Sequence, residues 1–277
     1  MYSIYKFFDS LLDVKEKFLK MKELDSFPFD EKLLSCKNSG IFPDLAIRVN
    51  PQPSVLSGGE LIELKDSVSY TVSSFNSTIP TRKKEISKVI QGENSILKEQ
   101  MENAKDDIYS LPVRDVFYLV RGRKKTKVKV CLVYGSFFET TPIENLISQS
   151  FGQVLEERLK QSDVQLTDEL KKTLTSLFSQ QDNFSKVRDV EKASVKLRFR
   201  IMTEVKKEGN LLNAKLFPEI LDNTINLVLP CYTEVEKENH IKLIQSELKT
   251  KNYKSLKSFT IKHPLNGPFL VLQTDLR

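Results

Sequence analysis

Two short stretches of alternating apolar and polar residues, 42–49 and 60–66, flank a loop that contains two prolines and two serines. Side chains of a strand point alternately to its two faces, so each stretch is predicted to be a β-strand with one apolar face. Proline and serine favour turns, and Gly58 and Gly59 precede the second stretch. The pair is therefore predicted to form an antiparallel hairpin. In that hairpin Asp44 comes close to Glu63, because the two residues are about equally far from the centre of the loop.

A lysine joins these two acids. Glu63 and Lys65 are two positions apart and so share one face of the second strand. Two carboxylates held a few ångströms apart repel each other unless a proton or a cation neutralises them. Mg²⁺ is held by one or two carboxylates, and a neighbouring ammonium can stabilise developing charge or orient a water. The pattern predicts a Mg²⁺ site at Asp44 and Glu63 with Lys65 in a catalytic role. The alternative is that Asp44 caps a strand and that Glu63 and Lys65 form a solvated strand face.

The residues Pro43-Asp44 and Glu63-Leu64-Lys65 resemble the signature of the PD-(D/E)xK nuclease superfamily. Within that superfamily, segment 58–84, which reads GGELIELKDSVSYTVSSFNSTIPTRKK, is similar to type II restriction endonucleases of the HindVP type. The resemblance implies that Asp44, Glu63 and the carbonyl of Leu64 bind the metal and that Lys65 assists attack on a phosphodiester. It also implies a restriction-endonuclease-like mixed β-sheet flanked by helices.

Composition limits the other classes of function. The 277 residues are 39% hydrophobic and 29% charged, which is typical of globular proteins. No apolar run is long enough to span a membrane, and the N-terminus lacks a signal-peptide pattern, so a cytoplasmic protein without a membrane partner is expected. Three scattered cysteines and two histidines argue against a structural zinc site. No phosphate-cradling glycine loop occurs, so no nucleotide cofactor is expected, and the net charge of +6 suits an anionic partner such as DNA.

A hydroxyl-rich and then basic segment follows the hairpin. Hydroxyl, amide and basic side chains bond phosphate oxygens, and asparagine can pair with adenine in a groove. A polar surface loop would have a similar composition. The residues of this segment that are predicted to bind DNA are Ser73, Ser74, Asn76, Ser77, Thr78, Arg82, Lys83 and Lys84.

Two further basic clusters are candidates for DNA contacts. The first lies at the turn between predicted strands 113–120 and 128–134 and contains Arg121, Arg123, Lys124 and Lys125. Lysines at such a tip also protect a sheet edge from aggregation, and that interpretation has equal weight. The second cluster, on one face of predicted strand 194–203, contains Lys196, Arg198 and Arg200. An exposed edge strand is the competing explanation there.

The remaining patterns predict an α/β (α+β) fold. Helical spacing of apolar residues indicates helices at 4–24, 85–107, 143–161, 167–179 and 234–249, and strands are expected at 223–229, 258–262 and 269–273. We expect a nuclease core at 1–141. Residues 142–277 are expected to form a helical and β elaboration, packed on the core as one compact unit and serving DNA recognition or dimerisation.

These observations favour a type II restriction endonuclease that uses Mg²⁺ to hydrolyse both strands of double-stranded DNA at a short specific sequence. A homodimer is expected, because a two-fold protein repeats its contacts on both halves of a palindromic site. One alternative is a repair, resolvase or transposase nuclease of the same superfamily. Another is a DNA-binding protein without catalytic activity.

Overall fold

The structure is a computed structural model that describes residues 34–36, 42–49, 57–72, 74–76, 80–91, 95–139, 143–162, 164–179, 202–247 and 256–276. The predicted helix 4–24 and most of predicted strand 194–203 lie outside the described residues. In chain order the strands are β1 (Leu34–Cys36), β2 (Leu45–Ile47), β3 (Leu61–Ser67), β4 (Ser74–Asn76), β5 (Lys83–Glu85), β6 (Val113–Lys124), β7 (Lys127–Tyr134), β8 (Met202–Glu204), β9 (Thr224–Pro230), β10 (Lys257–His263) and β11 (Gly267–Asp275). The helices are α1 (Ile86–Val89), α2 (Ser95–Asn103), α3 (Ile143–Gln161), α4 (Asp168–Ser179) and α5 (Glu234–Glu247), with 3-10 turns at Gly135–Phe137 and Lys207–Gly209.

Nine of the described strands form one mixed sheet. Its order is β1-β2-β3-β6-β7-β9-β11-β10, and β5 pairs with the start of β6. The β3–β6 and β7–β9 pairs are parallel, and the other pairs are antiparallel. A parallel pair needs a crossover connection, and α1 and α2 lie in the one that joins β3 to β6. The predicted mixed-sheet α+β fold is confirmed.

The predicted hairpin is present as the antiparallel pair β2–β3. Leu45 lies opposite Ile62 and Ala46 opposite Leu61. Gly59 enters β3 at a φ of +90°, and a Cβ built there would lie 2.6 Å from the Leu111 side chain. Only glycine meets both requirements at little cost, because it lacks the Cβ. The glycine pair therefore fixes where the second strand of the hairpin begins.

One face of the sheet forms an apolar core. Alternate residues of the strands point to this face and are buried, because the sheet is covered there. The helix α5 packs on it through Ile241 and Ile244. The buried members are Leu34, Leu45, Ile47, Ile62, Phe117, Leu119, Val128, Val130, Leu132, Ile225, Leu227, Leu229, Cys231, Leu270, Leu272 and Leu276.

The chain divides into two compact units. The first contains 1–73, 80–138 and 205–277, and the second contains 74–79 and 139–204. In the second unit α3 contacts α4, and β4 pairs with β8. This division differs from the boundary expected near residue 141, because β9, β10 and β11 of the C-terminal half pair into the main sheet. None of the helices formed by the described residues has the length and apolar character needed to cross a membrane.

Candidate active site

The hairpin register brings the two predicted acids together. Leu45 pairs with Ile62, so the next position outward places Asp44 opposite Glu63. Residues directly opposite each other in an antiparallel pair point to the same face of the sheet. The Glu63 side chain is buried and Asp44 is half-buried. The Glu63 side chain therefore lies on the face opposite the apolar core, and Asp44 lies at the end of β2 next to the part of β3 that carries Glu63.

Asp44 also closes the end of the strand pair. Its Oδ2 accepts the backbone N–H of Leu64 at a distance of 2.8 Å. The strand β2 begins only at Leu45, so the Leu64 N–H lies beyond the last paired residues. The carbonyl and the N–H of one strand residue point to the same side. The Leu64 carbonyl is therefore directed toward the edge where Asp44 lies.

Lys65 is held against Glu63. Its Nζ lies 2.9 Å from Glu63 Oε1, and the two side chains are 20% and 9% exposed. This ion pair is better shielded from solvent than a surface pair, so its geometry is better defined. Leu64 lies between these two residues, and Asp44 accepts its N–H, so Asp44, Glu63 and Lys65, called the acid cluster below, lie at one end of the β2–β3 pair.

Tyr118 lies beside Glu63 on the neighbouring strand and was not singled out by the sequence. It is fully buried on β6, opposite Glu63, and its hydroxyl accepts the N–H of Thr81 at 3.2 Å. Its ring meets Phe138 edge to face, with centroids 5.3 Å apart. A tyrosine within an apolar strand is typical of a protein core. Its type and position in the sequence therefore do not indicate that Tyr118 lies next to Glu63. It connects the cluster to the segment that leads into β5.

The donor set of the cluster is compatible with Mg²⁺. Among the described residues, no group of three or more His, Cys, Asp or Glu side chains is arranged to hold a metal ion. A cation held entirely by oxygen atoms of the protein, as Ca²⁺ often is, needs many such ligands. Mg²⁺ differs in this respect, because it usually binds one or two carboxylates and fills its other positions with water and phosphate oxygens. Asp44, Glu63 and the neighbouring Leu64 carbonyl supply oxygen donors of this type.

The cysteines and histidines of the described residues are poor candidates for other chemistry. Burial raises the pKa of the Cys131 thiol to about 12, and burial also raises the pKa of Cys231. Both thiols therefore stay protonated near neutral pH, whereas a cysteine nucleophile must be a thiolate. The Nδ1 of His263 accepts the backbone N–H groups of Leu265 and Asn266, at 3.2 and 3.0 Å, so this nitrogen closes a turn.

Two of the predicted DNA-binding arginines form ion pairs within the protein. Arg121 Nε lies 2.7 Å from Asp66 Oδ1, and Arg123 Nη2 lies 2.9 Å from Asp66 Oδ2. Asp66 follows Lys65 and so points to the opposite face of β3. The Arg121 side chain is only 5% exposed, which leaves little of its guanidinium for a phosphate. The assignment of these arginines to DNA binding stays a prediction.

The two lysines at the tip of the β6–β7 hairpin are exposed. Lys125 occupies the turn with a φ of +56°, and Lys124 precedes it. The next cation, Lys127, pairs with Asp222 at 2.8 Å. Lys124 and Lys125 are therefore the part of this basic cluster that is most available to an anionic partner.

Lys129 lies deeper in the same hairpin and is buried. Its Nζ is 5.2 Å from the centroid of the Tyr70 ring, which places the cation over an aromatic face. Burial lowers the pKa of Lys129, while the charge of Asp222 opposes that effect. Burial and Asp222 both raise the pKa of Tyr70. These contacts join the segment after β3 to the hairpin, and Lys129 itself is not exposed to a partner.

The remaining predicted DNA-binding residues are distributed as follows. Arg82 and Lys83 are exposed and Lys84 is half-buried, all at or beside β5. Ser74 and Asn76 lie in β4, which belongs to the second unit. Outside the described residues lie Ser73, Ser77, Thr78, Lys196, Arg198 and Arg200.

Comparison of the chain with protein-family models, with curated proteins and with solved structures found no match.

Proposed function

We propose that this protein is a Mg²⁺-dependent endonuclease of the type II restriction class, which hydrolyses phosphodiester bonds of double-stranded DNA at a short specific sequence. The observation that carries the proposal is the cluster of Asp44, Glu63 and Lys65. Asp44 accepts the N–H of Leu64 at 2.8 Å, and the Lys65 ammonium lies 2.9 Å from Glu63, so the three side chains meet the same end of the hairpin. Each of these residues also belongs to the motif that resembles the PD-(D/E)xK signature.

Each residue of the cluster has its own role in the proposed hydrolysis. Asp44, Glu63 and the Leu64 carbonyl would hold the Mg²⁺, which when bound supplies charge neutralisation at the phosphate and lowers the pKa of a water. Lys65 orients the attacking water or stabilises the negative charge that develops on the phosphate oxygens. The water oxygen bonds to phosphorus, the bond from phosphorus to one ester oxygen breaks, and that oxygen leaves with a proton.

Binding of the duplex is assigned to exposed basic residues. Each phosphate neutralised by a lysine or arginine releases counterions, and binding then weakens as salt is raised. Lys124 and Lys125 at the exposed hairpin tip fit this role. Recognition of a palindromic sequence calls for a two-fold homodimer.

The proposal is tested by incubating the protein and its variants with phage DNA and Mg²⁺ and sequencing the new ends. The wild type should produce ends at one fixed sequence. Asp44→Asn, Glu63→Gln and Lys65→Met should each reduce cleavage about 100-fold or more, because each removes a charge at the reacting phosphate. The matched control is Glu102→Gln, which also replaces a carboxylate by an amide but lies at an exposed position of α2. This variant should cleave normally. Normal cleavage by any of the three site variants would remove that residue from the proposal, and ends at many unrelated sequences would contradict the restriction class.

A further inference from the structure

The register of β5 sends its two adjacent lysines to opposite faces of the sheet. Lys83 lies opposite Asp115 on β6, and Lys84 lies opposite Arg114. Residues opposite each other share a face, and neighbours along a strand do not. The two lysines carry the same charge but face different surroundings.

Lys83 points away from the acid cluster. Its Nζ lies 3.8 Å from Asp115 Oδ1, with the two side chains 58% and 46% exposed. The same carboxylate oxygen accepts the hydroxyl of Tyr134 at 2.9 Å. Lys83 is therefore part of a surface ion pair on the far face.

Lys84 points to the face that carries the acid cluster. It is opposite Arg114, and Tyr118 lies four residues further along β6, on the same face and opposite Glu63. Residues separated by an even number of positions along a continuous strand point to the same face of the sheet. Lys84 and Glu63 thus belong to one side of the sheet.

An aromatic ring fixes the position of the Lys84 ammonium. The Nζ lies 5.0 Å from the centroid of the Phe42 ring, within the range of a cation–π interaction. Phe42 immediately precedes Pro43 and Asp44. The half-buried lysine is therefore held beside the turn that carries one of the two acids.

We propose that Lys84, and not Lys83, binds a backbone phosphate of the duplex beside the acid cluster and so seats the scissile phosphate. This inference rests on the proposed nuclease function. A lysine ammonium is a compact charge with three donors and binds phosphate oxygens at any DNA sequence. The contact with the Phe42 ring holds the Lys84 ammonium near Asp44 before DNA binds. Lys84 acts here as a positioning residue, and the chemistry stays with Asp44, Glu63 and Lys65.

The phosphate contact is tested by measuring how the protein binds a random-sequence duplex. Fluorescence anisotropy is recorded at several salt concentrations in EDTA, which removes Mg²⁺ and so prevents cleavage. Lys84→Gln should weaken binding about tenfold and lower the slope of log K against log salt by about 0.9. Lys84→Arg should restore most of the affinity, because it keeps the charge. Lys83→Gln, on the same strand, is the matched control and should leave the slope unchanged. Equal thermal unfolding midpoints show that all three variants are folded.

Cleavage assays with Mg²⁺ separate this inference from the nuclease proposal. Lys84→Gln should raise the DNA concentration for half-maximal cleavage with a smaller change in the maximal rate. Unchanged binding by Lys84→Gln, equal effects of the two glutamine variants, or no duplex binding by the wild type would overturn the role of Lys84. If the wild type binds DNA with the expected Lys84 dependence but never cleaves it, the nuclease proposal fails and the phosphate contact stands.

Discussion

The carboxylate of Asp44 accepts the backbone N–H of Leu64 across the end of the hairpin, at 2.8 Å. This bond gives Asp44 a role in the fold that is separate from any role in catalysis. A strand cap and a metal ligand are therefore compatible at one residue, because a carboxylate has two oxygens and each has two lone pairs.

Substitution of Asp44 should separate its two roles. Asp44→Ala leaves the Leu64 N–H without its acceptor and should lower the free energy of unfolding by about 1 kcal/mol. Asp44→Asn keeps an amide oxygen for that N–H and should unfold like the wild type, while cleavage is still lost. Urea titrations with a parallel cleavage assay measure both effects. Equal destabilisation by both variants would show that the bond contributes little to stability.

Mg²⁺ should stabilise the folded protein. A ligand that binds only the native state adds about 1.4 kcal/mol to the free energy of unfolding at ten times its dissociation constant. We expect thermal unfolding to shift upward with Mg²⁺ in the wild type and to be insensitive to Mg²⁺ in Glu63→Gln. This readout does not depend on DNA or turnover. An equal upward shift in both proteins would place the metal elsewhere.

The ion pair of Arg114 and Asp106 should be one of the most sensitive points of the fold. The two side chains are 0% and 2% exposed, with Arg114 Nη1 3.3 Å from Asp106 Oδ2. Asp106 Oδ1 also accepts the N–H of Val49 at 3.0 Å. Asp106→Ala leaves a buried charge and a backbone donor without a partner, so a loss of about 3–5 kcal/mol is expected in urea unfolding. Glu102→Ala, at an exposed pair on α2, should cost less than about 0.5 kcal/mol.

Acid should destabilise the protein through His263. Burial lowers the pKa of this histidine below its usual value of about 6.5, and its Nδ1 is needed as an acceptor. Between the folded and unfolded pKa values the unfolded chain binds more protons, so this contribution to stability is complete above about pH 6.5 and is lost as the pH falls. His263→Asn keeps a side-chain acceptor and should show a weaker acid dependence of the unfolding free energy. His240 also has a pKa lowered by burial, so part of the dependence will remain.

The turn at Lys125 allows a test of the hairpin tip. A lysine with a φ of +56° is in the left-handed region, which costs a residue with a Cβ about 1 kcal/mol. Lys125→Gly should therefore raise the free energy of unfolding by up to that amount. If the tip contacts DNA, the same variant should also bind duplex more weakly and with a smaller salt slope. A stabilised variant with unchanged binding would favour protection of a sheet edge as the role of the tip.

The hairpin and most elements after it were predictable because their patterns are local. The predicted helix 143–161 is observed as Ile143–Gln161, and the predicted helix 167–179 is observed as Asp168–Ser179. Loop symmetry alone predicted that Asp44 lies opposite Glu63, and the observed pairing of Leu45 with Ile62 is in the register that this prediction requires.

Long-range pairing and short strands were not predictable. The three-residue strands β4 and β5 lie within a polar segment whose composition indicates a loop. Nothing in the sequence near Arg121 shows that Asp66, on a neighbouring strand, will bind it. The same limit explains why β9 was assigned to an elaboration. Its place beside β7 is decided by a parallel pairing between distant parts of the chain.

The pairing of β9 with β7 also affects the state of the chain during its synthesis. A ribosome releases β7 before residues 139–204 of the second unit and before β9, so the growing chain exposes one edge of β7 until the C-terminal strands emerge. An open edge of buried, Val-rich strand readily pairs with another chain. Fragments that end near residue 141 should therefore be poorly soluble, and expression of an isolated N-terminal half requires that edge to be covered.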